Sequence, residues 1–119
     1  MNTDEVIDLL TLAASYDRRK VGESDVAAWG LAIGDLPFAD ARDAVIAHYR
    51  ESADWIMPAH VRRHVGEIRA KRLKAAGDLE RHIPEELADR PIEYAKALDN
   101  LVIAVRDGQS GPKAIESAE

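Results

Sequence analysis

Apolar residues recur every three or four positions along most of the chain, which is the spacing of amphipathic helices. No segment shows the strict alternation of apolar and polar residues that a half-buried strand requires. The pattern predicts five helices, spanning about 4–16, 24–33, 38–53, 58–76 and 91–106. We therefore expect an all-α fold: a small four-helix bundle with its fourth helix projecting, followed by a tethered C-terminal helix.

Residues typical of helix ends mark these boundaries. Thr3 and Ser24 are of the kind that caps a helix N-terminus, and Pro58 suits a first helical position. Pro37 directly precedes the third helix, and Gly34 follows the second, where glycine is favoured. These residues predict where four of the helices begin or end.

One face of each helix in the N-terminal half is apolar, and these faces predict a single core. Trp29 shares a stripe with Val26 and Ile33, so we expect its indole to be buried. The residues that we expect to form the structural core are Leu9, Tyr16, Trp29, Phe38, Val45, Tyr49, Trp55, Pro58, Val61 and Val65.

The fourth helix changes character near Arg69. From there onward it is polar nearly all round, and a helix without an apolar face does not pack into a core. We therefore expect four parts: a helical bundle domain over 1–68, a charged helix extension and linker over 69–90, an amphipathic helix over 91–107 and a flexible tail over 108–119.

The composition narrows the class of protein. The hydrophobic content of 46% argues against wholesale disorder, and the absence of cysteine excludes disulfides and thiolate metal sites. The N-terminus is acidic rather than basic, which is not the pattern of a signal peptide. No apolar run approaches the roughly 20 residues that a membrane helix needs. We expect a cytoplasmic protein that makes no membrane contact.

The net charge of −6 is distributed unevenly along the chain. Between His60 and His82, seven bases and three acids give a charge of +4, so the remaining residues carry −10. Such a distribution disfavours bulk binding to nucleic acid, and it leaves a solvated helix face, a local phosphate contact or an acidic protein partner as alternatives. The candidate partner-binding residues in this stretch are Arg69, Lys71, Arg72 and Lys74.

No catalytic arrangement emerges from the sequence. The serines have no elbow motif or base partner, and the glycines are too scattered for a phosphate-binding loop. His60, His64 and Glu67 share one helix face at a spacing that suits a divalent metal, but the HExxH order is absent and a solvated polar face is more common. We expect no enzyme activity, no catalytic or metal-binding residues and no cofactor.

The fifth helix has a broad apolar face. This face has three possible roles: it covers the bundle, it docks in a groove of another protein, or it pairs with a second copy of the chain. The sequence leaves these alternatives and the oligomeric state open. The candidate partner-binding residues on this helix are Leu98, Leu101, Val102 and Val105.

The order of anchor residues between positions 4 and 65 resembles that of the phage replicative-helicase loader/inhibitor family. The resemblance covers about half of the chain, and it consists mainly of core positions. Residues 66–119 lie outside it. The positions that carry it are Tyr16-Asp17, Val26 to Trp29, Asp35-Leu36, Phe38, Ala44-Val45, His48-Tyr49, Trp55 to Pro58, and Val61.

This resemblance implies a non-enzymatic replication accessory of a bacteriophage. Proteins of that family bind a hexameric DnaB-type helicase in the bacterial host, restrain its ATPase and unwinding, and deliver it to an origin complex. The resemblance transfers no catalytic residue and no partner surface. The main alternative is a small DNA-binding regulator that uses the third and fourth helices, which predicts tight and steeply salt-dependent binding to DNA.

Overall fold

The computed structural model describes residues 1–108, which form an all-α fold without a strand in that range. Two short 3₁₀ helices, Leu79–His82 and Glu85–Leu87, lie between the last two α-helices. No helix among the described residues is long and apolar enough to cross a membrane. The five α-helices are α1 (Thr3–Asp17), α2 (Glu23–Ile33), α3 (Phe38–Glu51), α4 (Pro58–Ala76) and α5 (Pro91–Arg106).

The first two helices begin at residues other than the predicted caps. The side chain of Asn2, not of Thr3, accepts a hydrogen bond from the Glu5 amide at 2.8 Å, and the Glu5 carboxylate accepts one from the Asn2 amide. Gly22, not Ser24, precedes α2, and its amide donates to Asp25 at 2.9 Å. In both cases an acidic residue three positions later selects the boundary, because its carboxylate satisfies an otherwise unpaired amide.

The chain divides into two compact units, Met1–Ile68 and Arg69–Glu119, which we call the first and second units. In the first unit, α1 contacts both α2 and α3. Phe38 and Tyr49 are partly buried and pack against the core of this unit. The core itself consists of Val6, Leu9, Leu10, Ala13, Trp29, Ile33, Leu36, Ala41, Ala44, Val45, Ile56, Val61 and Val65.

Two predicted core residues are exposed instead. Tyr16 is 50% exposed, because its ring stacks on Tyr49 with one face while the other meets solvent. Trp55 is 56% exposed and lies in the connection between α3 and α4, where a helical stripe does not decide which side chain turns inward. Its neighbour Ile56 takes the buried position. Pro58, also predicted as core, is partly buried and is the first residue of α4.

The second unit has a small core of its own, to which the stretch predicted as a charged helix extension and linker contributes apolar residues. Leu73 and Ala76 of α4 pack against the buried residues Ile83, Leu101 and Val105. The 3₁₀ helices contact α5. The sequence between positions 69 and 76 is too poor in apolar residues to reveal this packing, since its partners lie later in the chain. The predicted flexible tail lies outside the described residues from position 109 onward.

Candidate functional site

A buried ion pair closes the connection between α1 and α2. Arg18 ends α1 in the left-handed conformation (φ 63°), which reverses the chain and allows Arg19 to reach back to Asp17. The guanidinium nitrogen Nη2 of Arg19 lies 2.6 Å from Oδ2 of Asp17, and their side chains are only 9% and 1% exposed. The same nitrogen donates to the backbone carbonyl of Ile56 at 2.7 Å, which ties this connection to the one before α4.

Tyr49 completes the polar network. Its hydroxyl donates to Oδ2 of Asp17 and accepts from the amide of Ile56 at 3.0 Å. Burial by itself would raise the pKa of Asp17, but the hydrogen bonds from Arg19 and Tyr49 outweigh it and hold that pKa below its usual value. Burial, followed by the hydrogen bond to the Asp17 carboxylate, raises the pKa of the Tyr49 phenol. The network therefore keeps an ionised carboxylate beneath the surface.

Two tryptophans flank the same guanidinium. The Cζ atom of Arg19 lies 5.4 Å from the ring centroid of Trp29 and 5.1 Å from that of Trp55. Both distances are within the range of cation–π attraction. Because Trp29 is buried and Trp55 is exposed, Arg19 connects the core to a surface indole.

Three large side chains of this region face solvent: Tyr16, Trp55 and Met57, which we call the aromatic edge. Each is at least half exposed, yet the segments that carry them are fixed by the Asp17–Arg19–Tyr49 network. A cleft of about 280 Å³ adjoins the edge. Its lining consists of Leu10, Arg19, Lys20, Asp25, Trp29, Trp55 and Met57.

Sequence reasoning did not identify Arg19, which organises this region. The only local signal was its separation of two residues from Asp17, because its other partners lie ten or more residues away.

Three histidines lie together between α3 and the start of α4. The ring centroid of His48 is 4.8 Å from that of His60 and 5.8 Å from that of His64. Nε2 of His48 donates to the Asp54 carbonyl at 2.7 Å, and Nδ1 of His60 accepts from the Met57 amide at 2.9 Å. Among the described residues, no group of three or more His, Cys, Asp or Glu side chains could hold a metal ion.

His64 is buried, which corrects the expectation that it lies on a solvated face with Glu67. It directly precedes Val65 in α4 and its ring meets His48 from α3 edge-on. Nη2 of Arg63 lies 3.3 Å from Nε2 of His64, so the neutral ring accepts this hydrogen bond. Burial and the adjacent Arg63 charge lower the pKa of His64, against the smaller opposite effect of Glu67. The folded protein therefore disfavours protonation here.

We expect the free energy of unfolding to fall as the pH drops below about 6.5, the ordinary pKa of histidine. In that window the unfolded chain protonates His64 before the folded chain does, and protons therefore favour unfolding. Urea midpoints at about pH 5 and about pH 7.5 measure the effect. His64→Gln should flatten the pH profile, whereas His82→Gln, in the second unit, should not. Equal profiles for wild type and His64→Gln would contradict this assignment.

The arginines of α4 are engaged within the protein. Arg62 forms two hydrogen bonds to the Asp35 carboxylate, at 2.8 and 3.1 Å, and Arg63 lies 3.6 Å from Glu67. The side chains of both pairs are about half exposed, so these are surface ion pairs.

The four basic residues predicted to bind a partner differ in their accessibility. Lys71 and Lys74 are exposed. Arg69 and Arg72 are instead used inside the second unit: Nη2 of Arg69 lies 4.0 Å from Oδ1 of Asp107, and Arg72 donates to the Arg106 carbonyl at 3.0 Å.

Replacing Arg72 with methionine should therefore lower the free energy of unfolding by about 1–3 kcal/mol, since a charged hydrogen bond to the C-terminal turn of α5 is lost. Lys74→Met, at an exposed position on the same helix, serves as the matched control and should leave stability unchanged. Chemical denaturation of the full chain measures both variants. Equal stabilities would show that the Arg72 contact contributes nothing.

The predicted apolar contacts on α5 are largely covered by the second unit. Leu101 and Val105 are buried in its core, Leu98 packs against that core, and Val102 is partly buried.

Comparison of the chain with protein-family models, with curated proteins and with solved structures finds no significant match.

Proposed function

We propose that this chain is a non-enzymatic accessory protein that binds a DnaB-type hexameric replicative helicase through the aromatic edge. One observation carries the proposal. Tyr16 and Trp55 are at least half exposed, yet both rings are held in place: Trp55 lies against the Arg19 guanidinium, and Tyr16 stacks on Tyr49. The resemblance to helicase loader/inhibitors suggests the class of partner, and these two fixed aromatic rings suggest the surface that binds it.

The aromatic edge has the chemistry of a protein-binding hot spot. Tryptophan and tyrosine contribute most to interfaces when they enter a partner pocket, and they lose little entropy if already fixed. Trp55 stacks on Arg19 and Tyr16 on Tyr49, so both rings are preorganised. Among the predicted contacts, Leu101 and Val105 are buried and lack this accessibility, and we therefore propose a partner surface on the first unit.

The residues of the cluster also favour binding over catalysis. The Asp17 carboxylate is held ionised by Arg19 and Tyr49, and therefore it is poorly placed to accept a proton as a general base. Two of the three clustered histidines use a ring nitrogen in a backbone hydrogen bond. These groups stabilise the surface that carries Trp55, and we propose no reaction for them.

The mechanism we propose is differential binding to the states of the helicase ring. A ligand shifts a conformational equilibrium only by the difference between its affinities for the two states. If the chain binds one subunit arrangement more tightly, it restrains ATP hydrolysis and unwinding until an origin complex releases it. The site of action would be the cytoplasm of the bacterial host, where that helicase works.

Sedimentation of a purified DnaB-type hexamer with the labelled full chain tests this proposal. We expect a complex that Trp55→Ala weakens by about 30-fold, the effect of losing an interface hot spot of ~2 kcal/mol. Ile103→Ala removes an exposed apolar side chain of the second unit and should bind like wild type. Failure of the wild-type chain to sediment with the hexamer, or equal binding by Trp55→Ala, would overturn the proposal.

A further inference from the structure

The first unit has an apolar groove between α1 and α2 that shares no residue with the aromatic edge or its cleft. The groove measures about 640 Å³. Leu31 at its border is 91% exposed, and the other outer positions of α2 include the small residues Ala28 and Ala32. Its apolar lining consists of Met1, Val6, Ile7, Val26, Ala27, Gly30 and Leu31.

The two helices that form the groove have acidic side chains and no lysine or arginine. The ammonium of the lining residue Met1 donates to the backbone carbonyls of Gly34 and Leu36. Glu23 lines the groove, and Asp4 shares a helix face with the lining residue Ile7, three positions later. An apolar floor is therefore bordered by carboxylates.

We propose that this groove binds an amphipathic helix of a partner protein, with an apolar stripe flanked by lysine and arginine. The side chains of α1 and α2 form ridges at spacings of three and four residues. The apolar side chains of a third helix fit into the grooves between these ridges. The flanking bases then meet Asp4 and Glu23, and the charges fix which helices are accepted.

A second copy of the chain is a poorer occupant of this groove. A twofold-symmetric dimer through this face would set the acidic border of one copy against the same border of the other. Like charges placed opposite each other at an interface oppose association. The charge pattern thus favours a basic partner of different sequence.

Gly30 offers a direct way to close the groove. It lies within α2, and a Cβ atom placed there would meet no atom of the described structure outside its own helical turn within 4 Å. Gly30→Leu should therefore fill the groove floor while leaving the helix intact, because leucine favours helices more than glycine does. Gly66 in α4 has equally open surroundings, so Gly66→Leu is the matched control.

The test measures fluorescence anisotropy of a labelled synthetic peptide of about 18 residues with a leucine stripe and lysine flanks. The full chain should bind it with a dissociation constant on the order of 10 µM, and Gly30→Leu should weaken binding about tenfold or more. Gly66→Leu should bind like wild type. A peptide with the same leucines and glutamate flanks should not bind. Leu31→Lys, at an exposed position, is a second variant expected to weaken binding.

Three results would overturn the inference. One is equal peptide binding by wild type, Gly30→Leu and Leu31→Lys. Another is equal binding of the lysine-flanked and glutamate-flanked peptides. The third is a wild-type chain that dimerises in sedimentation velocity while Gly30→Leu stays monomeric, since the groove then belongs to a second copy. These outcomes are independent of helicase binding, which is assigned to the aromatic edge.

Discussion

Replacing Trp29 with alanine should lower the free energy of unfolding by about 3–5 kcal/mol, the usual cost of truncating a buried aromatic side chain. Trp29 belongs to the core of the first unit and is almost entirely buried. The substitution leaves a cavity and also removes one of the two rings that flank the Arg19 guanidinium. Urea denaturation of the full chain, followed by circular dichroism, measures the change.

Trp55→Ala is the matched control for this prediction. It removes the ring on the other side of Arg19, but that ring is more than half exposed, and so the cost should stay within about 1 kcal/mol. Equal losses in the two variants would mean that Trp29 stabilises the fold only through Arg19. An unchanged midpoint for Trp29→Ala would contradict its burial in the core.

Replacing Arg19 with methionine should cost about 3–5 kcal/mol, because it leaves the Asp17 carboxylate buried without its cation. Methionine keeps much of the length and apolar volume of the arginine stem, so that loss of charge and of hydrogen bonds dominates the effect. The hydrogen bond to the Ile56 carbonyl is lost as well. Equilibrium unfolding in urea measures the difference from wild type.

Two further variants separate the ion pair from other causes. Asp17→Asn combined with Arg19→Met should be less destabilised than the sum of the single variants, since neither then buries a lone charge. Arg42→Met removes the cation of an exposed pair with Asp43 and should cost well under about 1 kcal/mol. Similar costs for Arg19→Met and Arg42→Met would show that burial of the Asp17–Arg19 pair has no energetic consequence.

The helices follow from the sequence because their causes are local. Pro58 and Pro91 begin α4 and α5 as predicted, since proline fixes the backbone and needs no hydrogen-bond partner at a first helical position. The N-caps Asn2 and Gly22 were missed because Thr3 and Ser24 are themselves residue types that often cap helices. The deciding contacts come from the carboxylates of Glu5 and Asp25.

The candidate site follows from the sequence only in part, because its determining contacts are distant. The apolar face of α2 predicts correctly that Trp29 is buried. Helical spacing predicts nothing for Trp55, because this residue lies outside a helix. Arg19 reaches Ile56 across 37 residues. The packing of Leu73 with Leu101 likewise depends on the path of the chain between α4 and α5, which no periodicity encodes. The loop contacts and the second core therefore depend on residues that are far apart in the sequence.

Hydrogen exchange of the full chain, alone and with saturating DnaB-type hexamer, tests the central claim most directly. If the aromatic edge binds the helicase, amide protection should increase over residues 15–21 and 52–58, and Trp55→Ala should abolish the increase. Protection confined to residues 71–76 and α5, or no change anywhere at saturation, would contradict the assignment of the partner surface to Tyr16, Trp55 and Met57.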